Sequence, residues 1–233
     1  MPAHPHLVVD RLGPALRLRF DRVDRRNALD ESLVRAVIDV LDGDPYAVAV
    51  LGSTDPRSFS AGADLSLPDG ERARLSDLLY VCYERLVTRP GPVIAVVEGA
   101  AVGGGVQLAS AADLRIVGPG ARFKWVGPQH GLAVGSWILP SLLGRAQALD
   151  LTLTSRWVEA RDAVAIGLAS RLSDDPWPVA AGLAEHLSEL DAEAVARIKT
   201  IVNADGLLDR LHAERTLNRD SWNGAIPSPP PGG

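Results

Sequence analysis

Apolar residues recur along this chain with two periods, and the switch between them marks out its elements. Short alternating runs over residues 7–9 and 15–20, joined through Gly13-Pro14, predict an early hairpin. From Leu29 the series Leu33, Val34, Val37, Ile38 and Leu41 keeps a helical spacing until Asp42-Gly43-Asp44-Pro45 stops it. Residues 47–51 then read as a buried strand. A helix over about residues 71–87 carries Leu75, Leu78, Leu79, Cys82 and Leu86 on one side, and Pro90-Gly91-Pro92 ends it before a strand at 93–97. The next helix opens at Gly103-Gly104-Gly105 and runs to about 112, with two short strands after it at 113–117 and 121–125. Beyond Gly144 the spacing is helical, over 146–153, 160–166, 179–187 and 192–202. Strands alternating with helices predict an α/β core followed by a helical C-terminal part. The Pro- and Gly-rich residues 227–233 are expected to be a flexible tail.

Composition narrows the function. With 24 basic and 29 acidic residues among 233, the net charge of −5 disfavours a general nucleic-acid or membrane-surface binder, so any anionic ligand must meet a local cationic cluster. The single cysteine, Cys82, cannot close an intramolecular disulfide, and neither a signal segment nor a bilayer-length apolar run stands out. A cytoplasmic protein without membrane insertion is expected. No P-loop, G-x-G-x-x-G, H-E-x-x-H, paired C-x-x-C or G-x-S-x-G pattern is present, and no metal site is expected.

Two glycine-bearing segments carry candidate chemistry. Three consecutive glycines at a helix start leave backbone N–H groups without intrahelical partners and let a ligand approach the main chain. Gly104 is placed to donate to a carbonyl oxygen, and the turn Ser60-Ala61-Gly62-Ala63 can offer a second N–H from Ala63. Two donors around one oxygen favour its charged form, which is the requirement for stabilising an enolate. Either segment alone could equally be a tight strand-to-helix turn.

Taken together, Arg25-Arg26-Asn27-Ala28-Leu29, Phe59-Ser60-Ala61-Gly62-Ala63-Asp64-Leu65 and Gly99-x3-Gly103-Gly104-Gly105-x-Gln107-Leu108-Ala109-x3-Asp113 resemble the crotonase superfamily, the enoyl-CoA hydratase/isomerase family. The resemblance implies a crotonase (ClpP-like) spiral of β-β-α turns as an α/β core over 1–172, a helical C-terminal trimerisation region over 173–226, and a homotrimer or hexamer. It implies a coenzyme A thioester as ligand or substrate, with no further cofactor. Ala63 and Gly104 match the oxyanion-hole positions, and Arg25, Arg26, Ala28, Ala61, Asp64 and Leu65 fall in segments that contact CoA. Guanidinium groups suit the CoA phosphates, although Asp21, Asp24, Arg25 and Arg26 could also form a solvated charged turn.

The chain departs from the family where hydratases place two glutamates. Gln107 stands at one position, and matching through Gly131-Leu132 puts the other at about Gly127, with no carboxylate between Arg122 and Leu149. A glutamine can hydrogen-bond a thioester or orient water but cannot take a proton near neutral pH. His130 is the titratable side chain in that loop and a candidate replacement base. Leu132 and Trp137 are candidates for an apolar acyl wall, and Gln107 with Gly131-Leu132-Ala133 and Trp137 is similar to actinobacterial members of the family that bind acyl-CoA without turning it over. Two readings stay open: an acyl-CoA-binding protein of fatty acid metabolism without normal hydratase activity, or an active hydratase, isomerase or related thioester enzyme with non-standard acid/base groups. For the second, Gln107 and His130 are the candidate catalytic residues, with Glu71 or Glu159 as carboxylates that could reach the pocket from elsewhere.

Overall fold

The computed structural model describes residues 4–221. Strands β1 (Leu7–Leu12) and β2 (Ala15–Phe20) form the antiparallel hairpin, turning at Gly13. Strands β3 (Ala49–Ser53), β5 (Val93–Val97), β7 (Leu114–Val117) and β10 (Arg171–Leu172) extend it into a six-stranded sheet of order β1-β2-β3-β5-β7-β10, parallel from β2 onward. A second sheet, of order β4-β6-β8-β9, consists of four short strands: β4 (Ser58–Ser60), β6 (Ala100–Val102), β8 (Arg122–Lys124) and β9 (Val158–Glu159). The chain alternates between the sheets as β3 then β4, β5 then β6, β7 then β8, so successive turns of a spiral stack on one another.

Of the second sheet, β8 is the strand expected at 121–125, whereas β4, β6 and β9 are elements that periodicity does not reveal. Three residues cannot display an alternation, and β4 and β6 lie inside the two segments that read as glycine turns. By contrast, β3 and β5 are buried along their whole length. Parallel strands covered on both faces read as continuous apolar runs, as these do.

Helix α1 (Glu31–Gly43) starts where Asp30 accepts a hydrogen bond from the Leu33 N–H at 2.9 Å, and it buries Leu33, Val34, Val37, Val40 and Leu41. Helix α2 (Asp69–Thr88) buries Leu75, Leu79, Tyr80, Cys82, Tyr83 and Leu86, and packs on α1. Burial pushes the Cys82 thiol up to about 12, so it stays protonated and acts as a small core side chain. Helix α3 (Gly104–Ala111) is buried, packed against α2 and the strands β4 and β6. Helix α4 (Leu139–Thr154) is interrupted at Gly144, and α5 (Ala160–Ala165) follows β9. Helix α6 (Pro176–Ser188) covers the far face of the large sheet, setting Ala180 and Ala184 over Val50, Ile94, Val96 and Ile116. Helices α7 (Ala192–Val202) and α8 (Leu207–Ser221) complete the described chain, and α8 packs against α2. The expected tail at 227–233 lies outside the described residues.

One buried polar residue ties the first turns of the spiral together. Asn27 is fully buried with φ +55°; its Oδ1 accepts from the Arg22 N–H at 2.8 Å, while its Nδ2 donates to Ser53 Oγ at 2.7 Å and to the Ser58 carbonyl at 2.9 Å. It therefore joins the turn after β2 to the end of β3 and the start of β4, immediately upstream of Ala61–Ala63. Its own carbonyl accepts from Ser60 Oγ at 2.8 Å. Replacing Asn27 by alanine leaves several of these groups unpaired in a dry interior, at about 1–3 kcal/mol for each one stranded. Urea unfolding of Asn27→Ala is expected to show a loss of roughly 2–4 kcal/mol; a loss below about 0.5 kcal/mol would deny it this role.

Candidate functional site

The two glycine-bearing segments meet. Gly62 has φ +86°, and a Cβ there would lie 2.7 Å from the Val102 carbonyl oxygen and 2.9 Å from Gly104 N. Only a residue without a side chain allows that approach. Leu29 sets the direction of the Ala63 amide. Its N–H donates to the Gly62 carbonyl at 2.8 Å and its carbonyl accepts from the Asp64 N–H at 2.8 Å, which turns the N–H of Ala63 to the opposite side. Gly104 is the first residue of α3, so its N–H has no intrahelical acceptor, and the helix dipole adds positive potential there. Both residues line one cavity of ≈ 230 Å³.

That cavity runs from the two loops toward α2 and α8. Its wall is mostly apolar, including Leu79, Leu132 and Val134, and Ala61, Leu65, Gln107 and His130 also face it. Tyr80 on α2 and Asn218 on α8 line its far side. Neither Glu71 nor Glu159 reaches it: both are exposed, and among the described residues no carboxylate-bearing side chain lines the cavity.

Gln107 lies one helical turn beyond Gly104 and is buried, at 4% exposure. Its Oε1 accepts from Trp137 Nε1 at 2.7 Å and from the Gly135 N–H at 3.0 Å. Trp137 is fully buried and stacks on Tyr83, with ring centroids 5.8 Å apart. The structure thus sets Trp137 one layer behind the cavity, where it fixes Gln107, and leaves Leu132 on the wall.

Gly127 lies in the loop that holds His130. A Cβ on it would overlap the Leu132 carbonyl oxygen and sit 2.8 Å from Val134 N, because the loop folds back on itself through bonds from the His130 and Leu132 N–H groups to the Gly127 carbonyl. No side chain fits at 127 while the loop keeps this shape. His130 Nδ1 is buried without a hydrogen-bond partner, and burial, reinforced by nearby Arg72, holds the imidazole below its ordinary pKa. It is therefore neutral near pH 7.

The remaining site residues from the sequence sit outside the cavity. Arg25 and Arg26 are exposed on the turn after β2, Arg25 standing 4.0 Å from Asp24. Ala28 is buried beneath that turn. Asp64 is buried and bonded to Arg22 at 2.8 Å and to Ser66 Oγ at 2.6 Å, so it holds the Ala61–Leu65 segment in shape.

A buried carboxylate that shares the Gly135 N–H with Gln107 is one that sequence reasoning missed. Glu214 on α8 is 4% exposed and accepts from Tyr80 OH at 2.8 Å, the Gly135 N–H at 3.1 Å and the Trp137 N–H at 2.9 Å. One turn further on, Asn218 clamps Ala133, its Oδ1 accepting from the Ala133 N–H at 2.8 Å and its Nδ2 donating to the Ala133 carbonyl. Together they pin the loop over 133–137 that carries Trp137 and borders the cavity. In the sequence, Glu214 and Asn218 are spaced like the polar face of any solvated helix, and nothing local marks them as buried.

Comparison with known proteins gives the family. A family model described as enoyl-CoA hydratase/isomerase matches residues 15–226. This chain belongs to that family. A protein of Mycobacterium tuberculosis described as a probable enoyl-CoA hydratase, echA6, is 32% identical over 213 residues, 89% of this chain and 86% of its own length. Another from the same species, EchA14, described likewise, is 36% identical over 192 residues, covering 78% and 75%. The crystal structure of an enoyl-CoA hydratase/isomerase from Mycobacterium paratuberculosis superposes with a TM-score of 0.85 at 25% identity, covering 94% of each chain. One from Xanthobacter autotrophicus gives 0.88 at 23% identity, over 97% of this chain and 90% of that one. The mixed α/β spiral is thus the crotonase fold expected from the motifs.

Burial raises the pKa of Glu214 above the ordinary carboxylate range, against the lowering effect of its hydrogen-bond donors. Between the ordinary value, about 4.3, and the raised one, the folded protein holds a proton that the unfolded chain has lost, so this group makes stability fall as pH rises through that window. Subtracting urea-unfolding free energies of Glu214→Gln from wild type between pH 4 and 7 should give a difference that declines with pH. A flat or rising difference would contradict the assignment.

Proposed function

We propose that this protein binds an acyl-CoA thioester with its carbonyl oxygen between the Ala63 and Gly104 N–H groups, the acyl chain in the cavity beyond, and without normal hydratase activity. The observation that carries the reading is one cavity with two convergent main-chain donors and no lining carboxylate. Gln107 holds the place of one hydratase glutamate, and the backbone around Gly127 leaves no room for a side chain at the place of the other. A positioned acid or base contributes roughly 10² to 10⁴-fold, so lacking both slows hydration severely. The exposed Arg25 and Arg26 are assigned to the CoA phosphates, on a turn tied to the Ala61–Leu65 segment where the Arg26 carbonyl accepts from the Ala61 N–H at 2.9 Å. By family likeness the ligand is a fatty acyl-CoA.

A cytoplasmic homotrimer or hexamer belongs to the same proposal. What supports self-association is α7, which leaves Ile198, Ile201 and Val202 61%, 74% and 72% exposed. No helix among the described residues is long and apolar enough to cross a membrane.

The competing reading, an enzyme with a replacement base, is favoured by one observation, the neutral His130 with its unpartnered Nδ1 at the cavity. Two measurements separate the readings. Calorimetric titration with saturated acyl-CoAs of increasing length is expected to show stoichiometric binding, and a sensitive spectrophotometric assay with crotonyl-CoA and longer enoyl-CoAs is expected to show no turnover above a buffer control. Turnover abolished by His130→Ala would install the enzymatic reading instead. Absence of binding to every acyl-CoA would remove both.

In the binding reading, a methyl on Gly62 drives into the Val102 carbonyl and Gly104 N and requires a positive φ that alanine resists. Gly62→Ala is expected to weaken acyl-CoA binding at least tenfold, a cost of about 1.4 kcal/mol, as read by the same titration; unchanged affinity would show that the two loops need not meet.

A further inference from the structure

The fixed orientation of Gln107 says which acyl groups the cavity prefers. Trp137 Nε1–H and the Gly135 N–H are donors without any acceptor capacity, so the side of the Gln107 amide that faces them must be its oxygen. The amide is planar, and its NH₂ therefore turns the other way, toward the cavity that Gln107 lines. Among the described residues Nε2 donates to no protein acceptor, although Gln107 is 96% shielded from solvent, taking its 4% exposure from the whole. That donor keeps an accessible edge on the cavity, where solvent or a ligand must satisfy it, and a ligand acceptor that displaces the solvent keeps the bond while an apolar group loses it.

The position of this donor identifies the ligand atom. Gln107 lies three residues after Gly104 on the same face of α3, about 4.5 Å further along the helix axis. With the thioester oxygen at the Gly104 N–H, an extended acyl chain passing along α3 brings C2 and then C3 alongside Gln107. We propose that the cavity selects 3-oxoacyl-CoA thioesters, the C3 carbonyl oxygen accepting from Gln107 Nε2 while the thioester oxygen accepts from Ala63 and Gly104. A carbonyl fits this position better than a hydroxyl, because Gln107 Oε1 already accepts two bonds and offers nothing to a hydroxyl proton. A saturated chain would press CH₂ groups against the amide and strip it of water without replacing the bond. The proposal rests on the acyl-CoA reading above and adds a ligand class to it.

The test is calorimetric titration at pH 8 with a saturated acyl-CoA and the 3-oxoacyl-CoA of the same chain length, on wild type and Gln107→Glu. The variant keeps an oxygen for Trp137 and Gly135 and exchanges the donor for an anionic acceptor, and its binding of the saturated ligand reports that the site is still folded. Wild type is expected to bind the 3-oxo ligand about tenfold more tightly than the saturated one, and Gln107→Glu to lose or invert that preference. Equal affinities on wild type overturn the proposal and leave the acyl-CoA reading intact, and so does a preference that survives in Gln107→Glu. If neither ligand binds wild type, the acyl-CoA reading itself fails. Should Gln107→Glu bind neither, Trp137→Phe serves instead: it frees the amide to rotate and is expected to reduce the preference while retaining the saturated ligand, and an unreduced preference overturns the proposal.

Discussion

Ala63 and Gly104 belong to different turns of the spiral, and the site exists because their backbones are forced together. Gly62 reaches Gly104 N at a separation no side chain could share, and Gly105 would drive a Cβ to 2.5 Å from the Ser60 carbonyl oxygen. Two unpaired main-chain donors then face one space. Leaving such donors in a mostly apolar wall is unfavourable until a ligand oxygen arrives, and the helix dipole of α3 makes a partly negative oxygen the favoured occupant. Holding the loops together falls to buried polar groups, with Asn27 and Ser60 under one segment and Tyr83, donating to the Gly104 carbonyl at 3.1 Å, under the other.

The opposite end of α3 is held with comparable care. Arg115 is buried and donates to the carbonyls of Ala109, Ser110 and Ala112 at the helix end, and to Leu168 O from the neighbouring turn. A cation at the C-terminal carbonyls completes the dipole whose positive end meets the ligand. A related device fastens α7: Lys199 donates to Asp113 at 2.7 Å and to the Gly91 carbonyl at 2.8 Å, joining the helical C-terminal part to the loops at the start of β5 and β7. These buried charges meet carbonyls and a carboxylate, which offsets part of their desolvation.

The chemistry open to this site depends on which side chains border the space beyond the donors. Here the polar inventory is unusual in its direction. Gln107 presents a donor because Trp137 and Gly135 claim its oxygen, and the buried Glu214 spends its oxygens on Tyr80 and the loop amides. Among the described residues the cavity wall thus offers a hydrogen-bond donor at Gln107 and no carboxylate. His130 is the group that could alter this balance.

Much of this was legible in the residues. The hairpin, α1, the buried strands β3 and β5 and the glycine start of α3 follow from local pattern, because burial period, capping and turn chemistry act over a few residues, and the family was legible as a resemblance carried by three short motifs. The short strands β4 and β6 were hidden, since their pairing partners come from other turns of the spiral and three residues carry no period of their own. Glu214 and Asn218 were hidden too. Whether a helical carboxylate faces water or the interior depends on what packs against it, and α8 meets α2 and the 133–137 loop only through the completed fold. The same holds for Trp137: composition marks it as a large apolar residue, yet only the packed structure sets it behind the wall, with its N–H deciding which face of Gln107 the ligand meets.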